Sequence, residues 1–226
     1  LRLFEFGNTY QHYSDKANAE NPILAYKEEY HLGLWISGKR VSGSWAHVDE
    51  DSSFYELKSY VENIFARVGL SNGSVVTTQC DNDIFSKGLT VLSRSGVRIA
   101  EMGIVSAAIT KNSGIDMPVY YADINWTALM NVIRKNKVLF KEISKYPSVS
   151  RDLALLIDKN IEFEQIEKIA LQAERKILKN IELFDVYEGK NLPAGKKSYA
   201  VNFVLQDENK TLTDKQIDAV MNKIIA

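Results

Sequence analysis

The sequence predicts an α+β protein, and three observations support this class. Short apolar or alternating stretches bounded by polar loops, such as Tyr30–Ile36, are typical of β-strands. Two stretches, near residues 54–68 and 163–173, repeat apolar residues at spacings of three and four, which is typical of amphipathic helices. The longest uninterrupted apolar run, Leu153–Ile157, is far shorter than the roughly 20 residues that cross a bilayer. We therefore expect a globular chain that does not span a membrane.

The charge balance limits the classes of partner. The 226 residues include 28 Lys and Arg against 29 Asp and Glu, which gives a formal net charge of -1. A chain without a strong positive field attracts phosphate only through local contacts, so any contact with nucleic acid must be local. We expect neither a membrane nor DNA among its partners. The lone Cys80 cannot form a disulfide within the chain and is typical of a reducing, cytoplasmic location. The chain starts without Met or a signal peptide, so we expect a piece of a longer protein.

The first half predicts an antiparallel sheet with one prominent helix. Ser53 and Glu56 form a capping-box pattern at the helix start, and Gly69 stands where a left-handed C-terminal cap is expected. The acidic run 49–51 comes just before this helix, where it could hold a divalent ion, but we expect it to favour the positive end of the helix dipole. Strands are predicted at Leu3–Gly7, Tyr30–Ile36, Val75–Cys80, Leu89–Ser93, Val97–Ile104 and Pro118–Ile124, and a second helix at Trp126–Ile133.

The second half predicts the order β-α-β-β-α. Strands are expected at Arg151–Ile157, Ile177–Glu188 and Lys197–Gln206, with helices near 163–173 and after the capping box that begins at Thr213. This is the split βαβ order of ferredoxin-like domains, with the last strand missing. The charged stretch 134–137 separates the halves, so we expect domains at residues 1–134 and 138–226.

Five blocks of the second half resemble a known family. They are Tyr146–Ala154, Leu183–Gly189, Leu192–Ser198, Leu205–Asp207 and Thr211–Asp214. In this order they are similar to the ferredoxin-fold anticodon-binding domain that closes the beta chain of bacterial phenylalanyl-tRNA synthetases. The stretches Leu3–Gly7 and Phe54–Lys58 resemble the module before it in that chain, an antiparallel sheet module related to class II synthetases.

The resemblance implies a non-catalytic scaffold that packs on an alpha chain, within a heterotetramer of two alpha and two beta chains, and binds the anticodon of phenylalanine tRNA. ATP and magnesium would serve the whole enzyme, with no cofactor in this chain, and the family's editing domain would lie outside it. Residues 80–88 lack the His-Pro-Gly-Arg motif that many members carry at this place, so that role is not transferred. The arginine clamp and glycine-rich strand of class II active sites are absent too, so we expect no catalytic residues.

Unpaired bases are recognised by stacking on aromatic rings and by hydrogen bonds to their edges. The resemblance therefore favours six candidate tRNA-binding residues: Arg151, Phe184, Tyr187, Lys196, Lys197 and Tyr199. Five of them have an alternative role. Arg151 could form an ion pair with Asp152, Phe184 and Tyr199 could be buried under the helices, and exposed hairpin lysines often serve only solubility.

Other kinds of site have weaker support in the sequence. The three histidines lack the spacing of zinc ligands, so no metal site is expected, and no motif of a hydrolase is present. Trp35, Trp45 and Trp126 are candidates either for the core or for an interface with the alpha chain. Two rival functions are a ferredoxin-like regulatory module for a small ligand, which the glycine-free loop after Ile157 disfavours, and a free-standing class II-like enzyme.

Overall fold

The computed structural model describes residues 1–16, 21–70, 72–134, 136, 140 and 142–225, and it divides into two compact units. Unit 1 is Leu1–Leu139 and unit 2 is Phe140–Ala226. Two positions of the predicted boundary stretch, 135 and 137, lie outside the described residues, as does position 138, where the second domain is predicted to begin. In the described parts of both units, no helix has the length and apolar character that a bilayer crossing requires.

Unit 1 is built on a six-stranded sheet. Its strands are β1 Arg2–His12, β2 Tyr26–Ser37, β5 Val75–Gln79, β6 Phe85–Ser93, β7 Arg98–Val105 and β8 Val119–Asn125. They are antiparallel and lie in the order β1-β2-β8-β7-β6-β5. A separate hairpin is formed by β3 Lys39–Val41 and β4 Glu50–Asp51. The helices are α1 Phe54–Arg67, α2 Ala107–Asn112 and α3 Trp126–Ile133, with short 3-10 turns at Ser14–Lys16, Pro22–Ala25 and Asn72–Ser74.

The core of unit 1 lies between one face of this sheet and the helices α1 and α3. Leu57 and Val61 of α1 and Leu129 of α3 are fully buried together with alternate strand residues such as Met102 and Ile124. Because side chains alternate across a strand, the residues between these core positions lie on the opposite face of the sheet. This second face of unit 1 is described below with the candidate sites.

The start of α1 differs in part from its prediction. Ser53 Oγ accepts the Glu56 amide at 3.3 Å, as the capping pattern predicts, and Gly69 takes the left-handed conformation at φ 82°. The Glu56 carboxylate, however, accepts hydrogen bonds from Arg2 and Tyr60, both at 3.0 Å. The predicted role of the acidic run 49–51 in helix capping is wrong, because Glu50 and Asp51 form β4 and pair with the bases of β3. The sequence analysis also missed α2, β3 and β4.

Unit 2 has the predicted order of elements, β9 Val149–Asp158, α4 Phe163–Ala173, β10 Leu178–Tyr187, β11 Lys196–Leu205 and α5 Asp214–Ile225. The three strands form an antiparallel sheet in the order β10-β11-β9. Gln216 Oε1 accepts the Thr213 amide at 3.1 Å, which fixes the start of α5. The observed α+β class and this ferredoxin-like order agree with the predictions from the sequence.

Both helices of unit 2 pack on the same face of its sheet. Phe203, Val201 and Leu205 of β11 are fully buried against Ala170 of α4 and Ile217 of α5. The other face of the sheet carries the intervening residues of each strand. In the described part of unit 2 no helix packs on it, and we call it the open sheet face.

Candidate nucleic-acid interface

The alternation of β11 and its pairing with both neighbours determine which side chains form the open sheet face. Every second residue of β11 from Lys197 to Leu205 is buried, whereas Ser198, Ala200 and Asn202 between them are partly exposed. Their cross-strand partners are on the same face. The face thus contains Asp152, Ala154, Leu156 and Asp158 of β9, Lys196, Ser198, Ala200 and Asn202 of β11, and Glu182, Phe184, Asp185 and Tyr187 of β10.

Two aromatic rings stand on this face along β10. Phe184 lies at a register shift between the pairs Leu183–Val201 and Asp185–Ala200, and it is 55% exposed. Phe184 follows the helix-side Leu183 and therefore faces the open side by ordinary alternation. The inserted residue is a β-bulge that shifts the alternation by one position, so that Asp185 and Tyr187 also lie on the open face. Tyr187 is 44% exposed and pairs with Ser198. The sheet thereby presents two solvent-accessible rings beside the small residues Ala200 and Ser198.

Gly189 sets the position of the Tyr187 ring. A Cβ atom at residue 189 would overlap the phenol of Tyr187, including its hydroxyl oxygen. Any other residue type at this position would therefore displace the ring from the place it occupies. Gly189 thus allows the Tyr187 ring to occupy this position, although glycine has no side chain that could itself contact a ligand.

The polar groups of the open face are mainly acceptors. Asn202 Nδ2 donates to Asp152 Oδ1 at 2.6 Å. On the other side of β11, Glu182 of β10 is the cross-strand neighbour of Asn202. Lys196 is a cation of this face, and its Nζ lies 2.8 Å from Asp158 Oδ1. The centre of the face therefore suits bases with N–H donor edges better than it suits phosphate groups.

Tyr199 and Lys197, two of the predicted tRNA-binding residues, lie on the helix side of the sheet. Tyr199 is 7% exposed and packs edge-to-face on Phe163 of α4, with 6.4 Å between ring centroids. Lys197 is 8% exposed, and its Nζ lies 4.5 Å from the centroid of the Tyr199 ring. A cation over an aromatic face is attracted by the negative charge above the ring. Both residues thus contribute to the packing of unit 2.

Arg151 also projects to the helix side, but at its rim. It pairs across the strands with the buried Phe203, and its Nη1 donates to the Ser150 carbonyl oxygen at 3.0 Å. Its Nη2 lies 3.9 Å from Asp214 Oδ1 at the start of α5. The structure therefore pairs Arg151 with Asp214, whereas the neighbouring Asp152 points to the open face. Of the six predicted residues, the open face brings together Phe184, Tyr187 and Lys196.

The sequence analysis did not select several other residues of this face, among them Asp185, Ser198 and the exposed Leu156. A signal was available, because the two faces of β11 differ in character. Tyr199, Val201, Phe203 and Leu205 form the more apolar set and would be expected to face the helices. The bulge at Phe184 has no such signal, since it depends on pairing with β11.

The second face of the unit 1 sheet, opposite its helices, is filled by aromatic rings. Trp35 stacks on Tyr121 with 5.0 Å between centroids, and Phe85 stacks on Tyr121 at 6.1 Å. Burial raises the pKa of Tyr121 to about 12, so its phenol stays neutral. The Trp35 ring also lies over Gly33, where a Cβ would overlap it.

Carboxylates surround these rings. Glu101 pairs with Asp123 across β7 and β8, and Asp123 lies 2.8 Å from Nδ1 of His31. Glu29 is bonded to Lys27 and Asn125, and these hydrogen bonds lower its pKa. Glu101 is in turn paired with Arg98 at 3.1 Å, so the basic groups beside these rings are already engaged with carboxylates. Across the described residues, no group of three or more His, Cys, Asp or Glu side chains could hold a metal ion.

The fold and the open face of unit 2 define a class of protein, the ferredoxin-like binding domains, and this fold by itself is shared by many functions. Residues 144–226 match the family described as the ferredoxin-fold anticodon binding domain. Residues 1–126 match the family described as the phenylalanyl tRNA synthetase beta chain CLM domain. The chain belongs to the phenylalanyl-tRNA synthetase beta chain family. Membership of this family favours the interpretation of unit 2 as an anticodon-binding domain over its interpretation as a regulatory module for a small ligand.

Curated relatives agree with this membership. The chain is 56% identical over 225 residues to the phenylalanine–tRNA ligase beta subunit of Bacteroides fragilis, and the match covers 100% of this chain and 27% of the relative. The protein of the same description from Porphyromonas gingivalis is 47% identical over 99% of this chain and 27% of its own length. That from Fusobacterium nucleatum is 33% identical over 100% of this chain and 27% of its own length. The chain thus spans about a quarter of the length of these relatives.

Proposed function

We propose that unit 2 binds the anticodon loop of phenylalanine tRNA on its open sheet face, while unit 1 packs on a synthetase alpha chain and performs no chemistry of its own. In this proposal the chain works within a cytoplasmic heterotetramer of two alpha and two beta chains. The whole enzyme uses ATP and magnesium to form phenylalanyl-tRNA. The proposed functional domains follow the prediction, with unit 1 near residues 1–134 and the anticodon-binding domain near residues 138–226.

The observation that carries the anticodon proposal is the pair of exposed rings, Phe184 and Tyr187, on a sheet face free of the unit's own helices. A base that stacks on an exposed aromatic ring gains about 1–3 kcal/mol. The small neighbours Ser198 and Ala200 leave room for a base beside these rings. We propose Phe184, Tyr187 and Lys196 as contacts of the RNA and assign Arg151, Lys197 and Tyr199 to supporting the face from the helix side.

In this proposal, the hydrogen-bond acceptors on the open sheet face select among the bases. Asp185 and Glu182 on β10 and Asp152 on β9 carry carboxylates that accept hydrogen bonds from amino and imino groups of bases. Electrostatic attraction to phosphate is weak at this surface, because these carboxylates outnumber the cation Lys196. We therefore expect recognition of base edges to contribute more to the affinity than phosphate contacts do.

The test is to measure binding of phenylalanine tRNA to the assembled enzyme and to the 226-residue chain, with natural and altered anticodon bases. We expect at least a tenfold loss of affinity when an anticodon base is changed, and a shallow dependence of affinity on salt concentration. Equal affinity for all anticodons, with a steep salt dependence, would contradict the proposal because it would indicate phosphate contacts alone.

The proposal that unit 1 is non-catalytic rests on its second sheet face. The rings of Trp35, Tyr121 and Phe85 occupy the centre of this face, and the neighbouring cations Arg98 and Lys27 are already paired with Glu101 and Glu29. A class II active site needs cations there to neutralise a triphosphate. The rival function, a free-standing class II-like enzyme, predicts ATP–pyrophosphate exchange by the isolated chain, and we expect none above the rate of a buffer control.

The proposal that unit 1 has a protein partner is supported by its exposed apolar side chains. β1 is an edge strand, and Phe4 and Tyr10 on it are 72% and 67% exposed. Exposed apolar side chains along an unpaired edge favour association with another protein surface. Trp35 and Trp126 contribute less to such a surface than expected, since Trp35 stacks on Tyr121 and Trp126 packs edge-to-face on Phe6.

A further inference from the structure

The loop between β10 and β11, residues 188–195, supports the Tyr187 ring at one end of the open sheet face. The Tyr187 phenol lies against the backbone of Gly189, where a Cβ atom of residue 189 would overlap it. A ring that rests on a loop keeps its orientation only while the loop keeps its own position. The orientation of Tyr187 therefore depends on the contacts that hold residues 188–195 in place.

Lys159, the residue directly after β9, is bonded to both ends of this loop. Its Nζ lies 2.9 Å from Oε2 of Glu188 at the start of the loop. Its backbone amide donates to the carbonyl oxygen of Gly195 at the end of the loop, at 3.0 Å. Because β11 lies between β9 and β10, the ion pair crosses the end of the sheet. Lys159 thus ties the start and the end of the loop to the same point.

The other bonds of the loop are local. The Leu192 amide donates to the Gly189 carbonyl oxygen at 3.2 Å, and the Lys196 amide donates to that of Pro193 at 3.1 Å. Bonds of this kind close tight turns, so they fix the shape of the loop but not its position relative to β9. Among the described residues, only the ion pair to Lys159 is a side-chain bond between this loop and the β9 side of the sheet.

The charges around Glu188 favour this pair. The hydrogen bond from Lys159 lowers the pKa of Glu188, and the positive charge of Lys197 acts in the same direction. Glu188 is therefore a carboxylate at neutral pH. The residue before Lys159, Asp158, binds Lys196 at 2.8 Å. Two consecutive residues at the end of β9 thus hold both a proposed RNA contact and the loop.

We propose that Lys159 is a positioning residue for RNA binding, which fixes the loop through Glu188 and so holds the Tyr187 ring in the orientation that receives a base. This inference rests on the proposed function, in which the open sheet face binds the anticodon loop. A ring held in place before binding loses less conformational freedom when a base stacks on it. Glu188 thus contributes to RNA affinity although its carboxylate repels phosphate.

A direct contact between Lys159 and a phosphate makes the opposite prediction for Glu188. The Lys159 side chain is 55% exposed, so its ammonium is accessible to RNA. If it bound phosphate, Glu188→Gln would free that ammonium and remove a repulsive charge, and the affinity would rise. Positioning requires the affinity to fall, because the loop loses its link to Lys159. The sign of the change at Glu188 therefore separates the two roles.

The test measures the affinity of the assembled enzyme for phenylalanine tRNA. We expect Lys159→Met and Glu188→Gln each to weaken binding about threefold to fivefold, and the double variant to bind no more weakly than either one. Lys159→Arg keeps the charge and should bind within about twofold of wild type. The matched control is Lys168→Met, since Lys168 pairs with Glu164 at 2.6 Å on α4 and both side chains are exposed. We expect this control to change the affinity by less than about 1.5-fold.

A second background tests whether Lys159 acts through the ring. In the Tyr187→Ala variant, Lys159→Met should cause no further loss of affinity, because the ring that it positions is gone. A rise in affinity in Glu188→Gln, or a loss in Lys159→Met that persists without the Tyr187 ring, would overturn the inference in favour of a phosphate contact. Wild-type affinity in Lys159→Met would overturn it and leave the proposed function intact. Equal affinity of the wild-type enzyme for all anticodons would instead overturn the proposed function.

Discussion

Glu56 on α1 binds Arg2 on β1, with 2.9 Å between Oε1 of the carboxylate and Nη2 of the guanidinium. The Glu56 side chain is 6% exposed, whereas that of Arg2 is 42% exposed. Tyr60 donates to the same oxygen at 3.0 Å, one helical turn further along α1. This bond joins the edge strand of the sheet to the helix that covers its core. It also explains why the second half of the predicted capping box does not form.

We expect Glu56→Gln to destabilise unit 1 by about 1–2 kcal/mol, because it removes the charge that Arg2 and Tyr60 bind. Urea unfolding of the 226-residue chain at neutral pH measures this change. The control is Glu62→Gln, since Glu62 is paired with Lys58 at 3.3 Å on the exposed side of α1 and should change stability by less than about 0.5 kcal/mol. Equal effects of the two substitutions would contradict the structural role of Glu56.

The same bond predicts a pH dependence. Burial raises the pKa of Glu56, but the hydrogen bonds from Arg2 and Tyr60 outweigh it, so the net pKa is lowered. A carboxyl with a lowered pKa stabilises the fold fully above its unfolded value, about 4.3, and loses that contribution as the pH falls through the folded value. The stability gap between wild type and Glu56→Gln should therefore shrink below about pH 4.3. A gap that widens with acid would oppose this assignment.

Tyr187 should carry a large share of the RNA affinity if a base stacks on it. We expect Tyr187→Ala to weaken binding of phenylalanine tRNA about 5- to 150-fold, which corresponds to about 1–3 kcal/mol per stacked base. Tyr187→Phe keeps the ring and should stay within a few-fold of wild type. Ile169→Ala removes a 60% exposed side chain from α4, on the opposite side of the sheet, and should leave affinity unchanged. Filter binding or fluorescence anisotropy can compare all three.

Gly189→Ala tests the placement of the Tyr187 ring without altering its chemistry. The added methyl group would overlap the phenol, so the ring must rotate away from its position on the open face. Because the phenol is the free end of a side chain, we expect a stability change below about 1 kcal/mol. We expect tRNA affinity to fall at least threefold. An unchanged affinity would indicate that RNA binding does not depend on this position of the ring.

Tyr199→Ala should act on stability. Tyr199 is buried between Phe163 and Lys197, so we expect its truncation to cost unit 2 about 3–5 kcal/mol. Tyr199→Phe keeps the packing and should preserve tRNA affinity within twofold, as measured in parallel with urea unfolding. A loss of affinity in folded Tyr199→Phe would return Tyr199 to the set of RNA contacts.

The sequence by itself determined the family, the elements of unit 2 and most elements of unit 1, but not α2, β3 or β4. Amphipathic spacing gave α3 and α4 their observed bounds, and α1 and the strands of unit 2 to within a few residues, because local periodicity records which side of an element is buried. The motif blocks from Tyr146 to Asp214 identified the anticodon-binding domain, because a family is recognised by particular residues in a fixed order along the chain. These signals are local in the chain and need no knowledge of contacts.

Only the tertiary structure decided which candidates share a surface. Tyr187 and Tyr199 are both tyrosines on strands of one sheet, yet the bulge in β10 places the first on the open face and the helix α4 covers the second. Likewise, the acidic run 49–51 was predicted to favour the start of α1, but it lies in the hairpin of β3 and β4, because Lys39 and Arg40 of β3 pair with it. Pairing between strands fixes these outcomes, and it joins residues that are far apart in sequence.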